Sequence, residues 1–302
     1  MSSAKYLLSA NVLLRGLLVA IGVITLCSHP ALAQDRADDS TTAAKIGRHI
    51  FFDKRLSRPA GQGCVSCHQP EAAFADPRRV SPGAVEGRTG TRNSPSLMYA
   101  ALIPSFFYED FQNDEGQEVY AFEGGLFWDG RAKDLFEQVQ QPFFDPNEMN
   151  LPDEASLAAR IRNAPYAEEF RSWLGTQAWD DDSALIYSVY RSLGEFLKSP
   201  FFRPFNARID EYLSGNKDAL TVTQQRGLEV YEGIGGCADC HPLSPRHWAK
   251  PLISDFGYDN LGVPSRGKPD PGLGGHTGNA DELGQFRSPT LRNITLTAPY
   301  MH

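Results

Sequence analysis

The stretch GQGCVSCHQP, at residues 61–70, contains the five-residue pattern C-x-x-C-H. The same pattern recurs in GIGGCADCHP, at residues 233–242. The chain has 302 residues and only five cysteines, and the two copies use Cys64, Cys67, His68, Cys237, Cys240 and His241. A fold that presents this pattern twice has to build two similar sites.

Cysteine pairs at this spacing serve three chemistries. A tetrahedral zinc site could combine both pairs, although they lie far apart in the sequence and free thiolates are rare in exported proteins. A thioredoxin-like redox site needs one pair on a βαβ unit, not two pairs that each end in histidine. In c-type cytochromes both cysteines bond to a haem, and the histidine is the proximal ligand of its iron. The sequence therefore predicts two covalently bound haem c groups, with His68 and His241 as iron ligands.

The N-terminal sequence predicts export. Lys5 and Arg15 precede an apolar run at residues 16–27 that is too short to span a bilayer. Ala31-Leu32-Ala33 then matches the small-residue pattern of a cleavage site. We expect residues 1–33 to be a cleaved signal peptide, and the mature chain to lie in the periplasm without a membrane span. An uncleaved anchor is the alternative.

The composition limits the class of partner. With 41% hydrophobic residues, the chain can form one large or two modest globular domains and is too apolar to be disordered. Its net charge of −8 argues against nucleic acid and anionic membrane surfaces as partners. The same charge is compatible with a basic protein partner.

Hydrophobic periodicity predicts an all-α fold. Apolar side chains recur at helical spacing in residues 182–199, and residues 155–161 predict a further helix that ends near Asn163. Thr221 and Gln224 form a capping-box pattern that opens a helix leading to the second motif.

Two long segments lack such a period. Residues 76–125 and 242–290 are rich in Gly, Pro and Asp, and we expect them to form loops packed around the haems. No run of residues in them predicts a strand.

The similarity of the two copies extends beyond the motifs. A glycine and an aliphatic–aromatic stripe precede each, in KIGRHIFFDKRLS and QRGLEVYEGIGG. The pattern S-P-[ST]-L follows each, at residues 94–97 and 288–291. These repeats predict two cytochrome-c-like haem domains related by internal duplication, at residues 34–185 and 186–302, with long loops that differ between the copies.

The distribution of histidines predicts an open iron at the first haem. No histidine lies between His68 and His241, so the first domain offers none after its motif as a sixth ligand. His49 precedes the motif on a predicted helix, where a surface or packing role is more common, and Met98 and Met149 are more typical of core filling. An open iron can bind peroxide, whereas a six-coordinate iron generally transfers electrons.

Residues 127–149, FWDGRAKDLFEQVQQPFFDPNEM, contain a candidate acid–base catalyst, Glu148. A carboxylate beside an open haem can take a proton from hydrogen peroxide and return it to the departing oxygen. From the residues alone, an acid at a helix start is the commoner role for Glu148, and a core position is the commoner role for Trp128.

Together these motifs resemble the bacterial dihaem cytochrome c peroxidase family, which includes the MauG proteins. The similarity covers nearly all of residues 45–302 and rests on FFDKRLS, RNSPS, FWDGR, both C-x-x-C-H copies and PTLRNITLTAPYMH. The resemblance implies that Trp128 relays electrons between the haems. It implies a peroxide pocket lined by Gln138, Pro142 and Glu148, with Glu148 as the catalyst. It also implies a calcium ion between the haems with the ligands Asn93, Thr297 and Pro299.

Two features depart from the typical peroxidases of this family. Those enzymes carry a displaceable histidine ligand on a loop after the first motif, where this chain has Ala84. We therefore expect the first haem to be open without prior reduction of the second, as in MauG. The sequence ends at His302 within a family motif, so we expect the distal ligand of the second haem to lie beyond it. The iron of the second haem could also be bound by Met301, His276 or His247, but we do not expect any of them to be its ligand.

The sequence thus predicts an enzyme that reduces hydrogen peroxide to water. Its electrons would come from a small cytochrome c or a cupredoxin and enter at the second haem. One alternative is a MauG-like oxidase that modifies residues of a partner protein, and another is a non-catalytic dihaem electron carrier. Typical members of the family form homodimers, so a dimer is also possible.

Overall fold

The computed structural model describes residues 30–112, 116, 118–244, 250–263 and 267–300. Most of the predicted signal peptide, as well as His247, Met301 and His302, lies outside the described residues. Among the described residues, no helix is both long enough and apolar enough to cross a membrane.

The structure is mostly helical, which confirms the predicted fold class. The helices are α1 Pro30–Phe52, α2 Cys64–Cys67, α3 Leu135–Gln138, α4 Gln141–Phe144, α5 Glu154–Arg162, α6 Ala167–Leu174, α7 Thr176–Asp180, α8 Asp182–Lys198, α9 Arg208–Leu213, α10 Val222–Glu232 and α11 Gly274–Thr277. Short 3₁₀ turns occur at Lys54–Leu56, Pro70–Ala72, Ala100–Leu102, Pro200–Phe202, Lys217–Ala219, Cys237–Asp239 and Ala280–Glu282. The strands are β1 Phe107–Gln112, β2 Glu118–Glu123, β3 Tyr258–Asp259 and β4 Phe286–Arg287.

Helix α8 is the centre of the N-terminal core. Asp181 caps its first turn by accepting from the backbone N–H of Ala184 at 3.0 Å. Its apolar stripe, including Leu185 and Val189, is fully buried and packs against α1. The two helices approach so closely that a Cβ on Gly47 would lie 1.9 Å from the carbonyl oxygen of Ser192. Only glycine fits at this crossing.

The predicted domain boundary between residues 185 and 186 falls inside α8. The buried residues of α8, together with Phe202, belong to the same hydrophobic cluster as Ile46 and Ile50 of α1. The whole helix is therefore part of the N-terminal core. We propose that the boundary lies after Phe202, where this cluster ends.

The other helix predictions agree with the structure. Helix α5 ends with Asn163 as its C-cap. Helix α10 begins with the predicted capping box, in which the Thr221 backbone N–H donates to Gln224 Oε1 and the Gln224 backbone N–H donates to Thr221 Oγ1.

The prediction that residues 76–125 contain no strand is wrong. Strands β1 and β2 form an antiparallel hairpin, with Phe107 opposite Glu123 and Gln112 opposite Glu118. Tyr108, Tyr120 and Phe122 share one face, and their ring centroids lie 5.8 to 6.5 Å apart. The aromatic content favours strand pairing, although each run is short and acidic. Strands β3 and β4 form a second, two-residue pair in the other predicted loop.

Candidate functional site

The first C-x-x-C-H motif forms a single helical turn, α2. Gly63 precedes it in an extended conformation, and the backbone N–H of His68 donates to the carbonyl of Cys64 at 2.9 Å. A Cβ on Gly63 would lie 2.9 Å from the carbonyl oxygen of Asp53, so the turn sits tightly against the end of α1. This turn presents Cys64, Cys67 and His68 together.

The imidazole of His68 has a fixed orientation. Its Nδ1–H donates to the carbonyl oxygen of Phe74 at 3.0 Å, which leaves Nε2 as the ring nitrogen for a metal. Burial lowers the pKa of His68, so the ring is neutral near pH 7, as an iron ligand must be.

The second motif reproduces this arrangement. The Nδ1 of His241 donates to the carbonyl oxygen of Ile253 at 3.1 Å. The two accepting residues, Phe74 and Ile253, both have positive φ, at 58° and 56°, which side chains of their size rarely adopt.

The S-P-[ST]-L segments complete the parallel. The backbone N–H of Leu97 donates to the carbonyl of Phe74 and that of Leu291 to the carbonyl of Ile253, each at 3.2 Å. The hydroxyl of Ser96 donates to the carbonyl of Ala73, and that of Thr290 donates to the carbonyl of Leu252. The repeated segments therefore hold the two histidine-orienting carbonyls in the same way.

A cavity of about 160 Å³ lies beside the first motif. The residues predicted to be functional that line it are Cys64, Cys67, His68, Asn93, Trp128, Gln138, Pro142 and Glu148. The structure thus brings the whole first haem site and the predicted peroxide pocket into one space. Their individual roles stay predictions.

Glu148 has the electrostatics of an acid–base group. Burial raises the pKa of its carboxyl to about 7, and the neighbouring Asp145 adds to the rise while Arg131 opposes it. A carboxyl with this pKa can both accept and release a proton near neutral pH.

The loop that contains Ala84 is attached to the turn that carries Glu148. The backbone N–H of Ala84 donates to the carbonyl of Glu148 at 2.7 Å. The Arg88 guanidinium donates to the carbonyl of Pro146 at 3.0 Å, and a Cβ on Gly83 would lie 2.4 Å from the carbonyl oxygen of Asn147. Residue 84 is therefore a neighbour of the proposed acid, a proximity that the sequence did not reveal.

Trp128 connects the two halves of the chain. Its indole Nε1–H donates to the carbonyl of Asn93 at 2.8 Å. Its own carbonyl accepts from the backbone N–H of Arg287 on β4, at 2.9 Å. The side chain lies at the cavity wall next to the C-terminal half.

An ionic cluster near Trp128 was missed by sequence reasoning. Arg92 lies 2.7 Å from both Asp129 and Asp270, and Arg131 lies 2.9 Å from Asp129. Arg92, Asp129 and Arg131 belong to the recognised motifs RNSPS and FWDGR, and this membership was the signal that could have pointed to them. Asp270 lies in the other half of the chain, outside these motifs, so the sequence offered no signal for it.

The calcium ligands are only partly placed. Asn93 is buried, and its amide nitrogen donates to the carbonyls of Asp76 and Arg78 at 2.9 and 2.8 Å. The amide oxygen of Asn93 is the atom predicted to face calcium. Thr297 and Pro299 are half-buried near the end of the described chain. The calcium site stays a prediction.

The alternative iron ligands lie in varied places. His49 stacks on Tyr166, with centroids 5.5 Å apart, as expected for a packing residue. Met98 packs against the hydrophobic core and Met149 is buried at the cavity wall. His276 is exposed on α11 and contacts the ring of Phe106.

The residues of the first site fit a haem. Apolar side chains such as Phe51, Leu97 and Leu126 line the cavity, and the cysteine pair and an oriented imidazole lie at its wall. At the second site Cys237 is exposed, and the neighbouring Ile234 is 96% exposed. Such apolar exposure fits a surface that a large apolar group covers. Among the described residues, no cluster of three or more His, Cys, Asp and Glu could hold a metal ion.

Comparison with known proteins gives consistent matches. A family model described as di-haem cytochrome c peroxidase matches residues 41–218. Over 287 residues the chain is 34% identical to the methylamine utilization protein MauG of Paracoccus denitrificans, covering 88% of this chain and 71% of that protein. It is 29% identical over 272 residues to cytochrome c551 peroxidase of Nitrosomonas europaea, covering 87% and 69%.

Solved structures agree. The diheme peroxidase BthA from Burkholderia thailandensis superposes with a TM-score of 0.75 at 32% identity, covering 86% of this chain and 68% of that chain. A MauG-like protein associated with microbial copper homeostasis gives a TM-score of 0.61 at 32% identity, covering 86% and 72%.

Proposed function

The chain belongs to the di-haem cytochrome c peroxidase family, and from that premise we propose that it reduces hydrogen peroxide to water with electrons from a small redox protein. Family membership assigns it two haem groups and makes it a peroxidase-type oxidoreductase. We place it in the periplasm, as a mature chain without the segment 1–33.

The observation that carries the proposal is the position of Glu148. This carboxyl lines the same cavity as His68, and its pKa is about 7. A buried acid with a perturbed pKa in a cleft beside a cofactor site is a strong candidate for catalysis.

The residues of the cavity divide the work of peroxide reduction. A haem bound through Cys64, Cys67 and His68 supplies the redox chemistry at the O–O bond. The carboxylate of Glu148 accepts a proton from hydrogen peroxide and returns it to the oxygen that leaves as water. Gln138 and Pro142 line the wall of the cavity and limit the space for solvent.

The electron route runs from the C-terminal half to the N-terminal half. We propose that electrons from a cytochrome c or a cupredoxin enter at the haem bound by Cys237, Cys240 and His241. The contacts of Trp128 with Asn93 in one half and Arg287 in the other support a relay role for its indole.

The remaining assignments follow the family pattern. We propose covalent thioether attachment of both haems and a calcium ion bound by Asn93, Thr297 and Pro299. We include a homodimer in the proposal only because typical members of the family form one. The two haem domains extend from residue 34 to Phe202 and from there to residue 302.

One observation favours a second candidate function. Ala84 stands where peroxidases of the family carry the displaceable histidine, and MauG of Paracoccus denitrificans is 34% identical to this chain. The alternative is therefore a MauG-like oxidase that uses the same two haems to modify residues of a partner protein. A non-catalytic electron carrier is disfavoured, because it gives no role to the carboxyl of Glu148.

Two measurements on the full-length holoprotein test the proposal. Electron paramagnetic resonance of the oxidised protein should show one high-spin and one low-spin ferric haem. Ferrous cytochrome c or reduced cupredoxin should then be consumed when peroxide is added. Two low-spin signals would overturn the open first site, and a high-spin signal without donor consumption would favour the MauG-like alternative.

A further inference from the structure

Arg287 reaches the first haem cavity from the other half of the chain. It lies on β4 and pairs with Tyr258 of β3, far in sequence from the first motif. It nevertheless lines the same cavity as Cys64 and His68, and it is 5% exposed.

The surroundings of the Arg287 guanidinium differ from those of the other arginines that line this cavity. Arg92 and Arg131 are neutralised by the carboxylates of Asp129 and Asp270. Within the described part of the chain, Arg287 forms no such ion pair, and its Nε–H has no hydrogen-bond partner. Its Nη2 makes only a long contact, 3.4 Å, to the carbonyl oxygen of Phe127.

Burying a guanidinium that lacks both a counter-charge and hydrogen-bond acceptors raises the free energy of the folded state, unless an anion binds to it. Arg287 lies over the ring of Phe256, at 5.6 Å from the ring centroid, but this contact does not satisfy its N–H groups. Burial also lowers the pKa of Arg287, which reflects the same missing counter-charge. The orphaned donor therefore points to a ligand with a negative charge and accepting oxygens.

We propose that Arg287 binds a propionate carboxylate of the haem in the N-terminal cavity. Arginine and carboxylate pair through two parallel hydrogen bonds, and the haem is the anionic group expected in this space. The inference rests on the proposed function only in requiring a haem at Cys64, Cys67 and His68.

This contact gives Arg287 a positioning role for electron transfer. Its backbone N–H already holds the carbonyl of Trp128, at 2.9 Å. Arg287, a residue of the C-terminal half, thus contacts both the relay tryptophan, through its backbone, and the haem of the N-terminal half, through its side chain. A movement of one half relative to the other would weaken both of these contacts together.

The test compares Arg287→Gln, Arg287→Lys and the control Arg171→Gln in the full-length holoprotein. Arg171 is exposed on α6 and changes the net charge equally. Spectroelectrochemical titration resolves the two haem potentials. Loss of the cation should lower the potential of the N-terminal haem, because the ferric form is then stabilised by the unpaired carboxylate. The C-terminal potential should stay unchanged, Arg287→Lys should recover part of the shift, and Arg171→Gln should shift neither potential.

An N-terminal potential in Arg287→Gln equal to that of Arg171→Gln, with both haems bound, would overturn the proposal. If Arg287→Gln does not fold, resonance Raman of Arg287→Lys decides, since the propionate bending band should move and an unmoved band counts against the pairing. Peroxidase assays of the unmodified protein test the proposed function separately. An inactive protein that still shows the shift would refute that function and keep the Arg287 contact.

Discussion

Replacing Glu148 with glutamine should sharply lower peroxide turnover and, above neutral pH, stabilise the fold. A pKa of about 7 against an ordinary value of 4.5 means that the folded state holds this proton more tightly than the unfolded state does. Stability from this group is fully present below pH 4.5 and is lost as the pH rises towards 7. The loss amounts to at most about 3 kcal/mol, and solvent at the cavity mouth reduces it.

The neutral amide of Glu148→Gln avoids this loss, because it never ionises. Urea unfolding at pH 8 should therefore show a variant more stable than the unmodified protein by up to about 3 kcal/mol, and the two should converge at pH 4. The unmodified enzyme needs the carboxylate to accept the first proton, so its activity should rise with pH through about 7. The charged groups that act on this carboxyl are Asp145 and Arg131, and the Cys64 and Cys67 thiols lie close enough to interact with its charge.

Peroxide turnover of Glu148→Gln should fall by roughly 10² to 10⁴, the usual contribution of general acid–base catalysis. The matched control is Glu86→Gln, which removes an exposed carboxyl from the adjacent loop and should change neither property. Turnover of Glu148→Gln within tenfold of the unmodified enzyme, or a loss of stability at pH 8, would refute the assigned role.

Three further predictions concern the surroundings of the site. Ala84→His places an imidazole beside the Glu148 turn, so the high-spin ferric signal of the first haem should become low-spin. The control Ala84→Ser should keep the high-spin signal. A high-spin signal retained in Ala84→His would show that this loop cannot bring a ligand to the iron. Arg292→Met leaves Asp210 buried without the partner that now holds it at 2.7 Å, and urea unfolding should show a loss of about 3–5 kcal/mol; a loss below about 1 kcal/mol would contradict the pairing. Thr221→Ala removes the N-cap of α10 and should cost about 1 kcal/mol, whereas Thr223→Ala within the helix should cost nothing; equal effects would mean that the cap is not the cause.

Local patterns could be read from the sequence. The stripe of α8 and the capping box at Thr221 depend on residues within a few positions of one another, and both predictions agree with the structure. The mostly helical fold class follows from such patterns as well. The hairpin at Phe107–Glu123 was missed because two six-residue strands in a Gly- and Asp-rich region give too short an alternation.

Contacts between the halves could not be read in this way. Nothing local marks Asp270 as the partner of Arg92, or Arg287 as a residue of the first cavity. The pKa of Glu148 likewise depends on burial, which the fold creates after the chain has closed around the cavity. Sequence reasoning therefore named the first site's members by motif and resemblance, but it could not supply the electrostatics that distinguish them.

The two motifs orient their histidines in the same way, so the different roles that we propose for the two sites have to arise elsewhere. Both imidazoles donate to a carbonyl at a left-handed position, and both carbonyls are held by the same S-P-[ST]-L segment. Around the first motif the chain adds a cavity and, at its wall, the Glu148 carboxyl, whose pKa burial raises to about 7. Around the second, in the part that the structure describes, Cys237 is exposed and Ile234 almost fully so. Peroxide chemistry requires a proton donor and restricted solvent, whereas electron entry from another protein requires an accessible edge. Under the proposed function, the surroundings of the two motifs, rather than their proximal ligands, would make the first site catalytic and the second the point of electron entry.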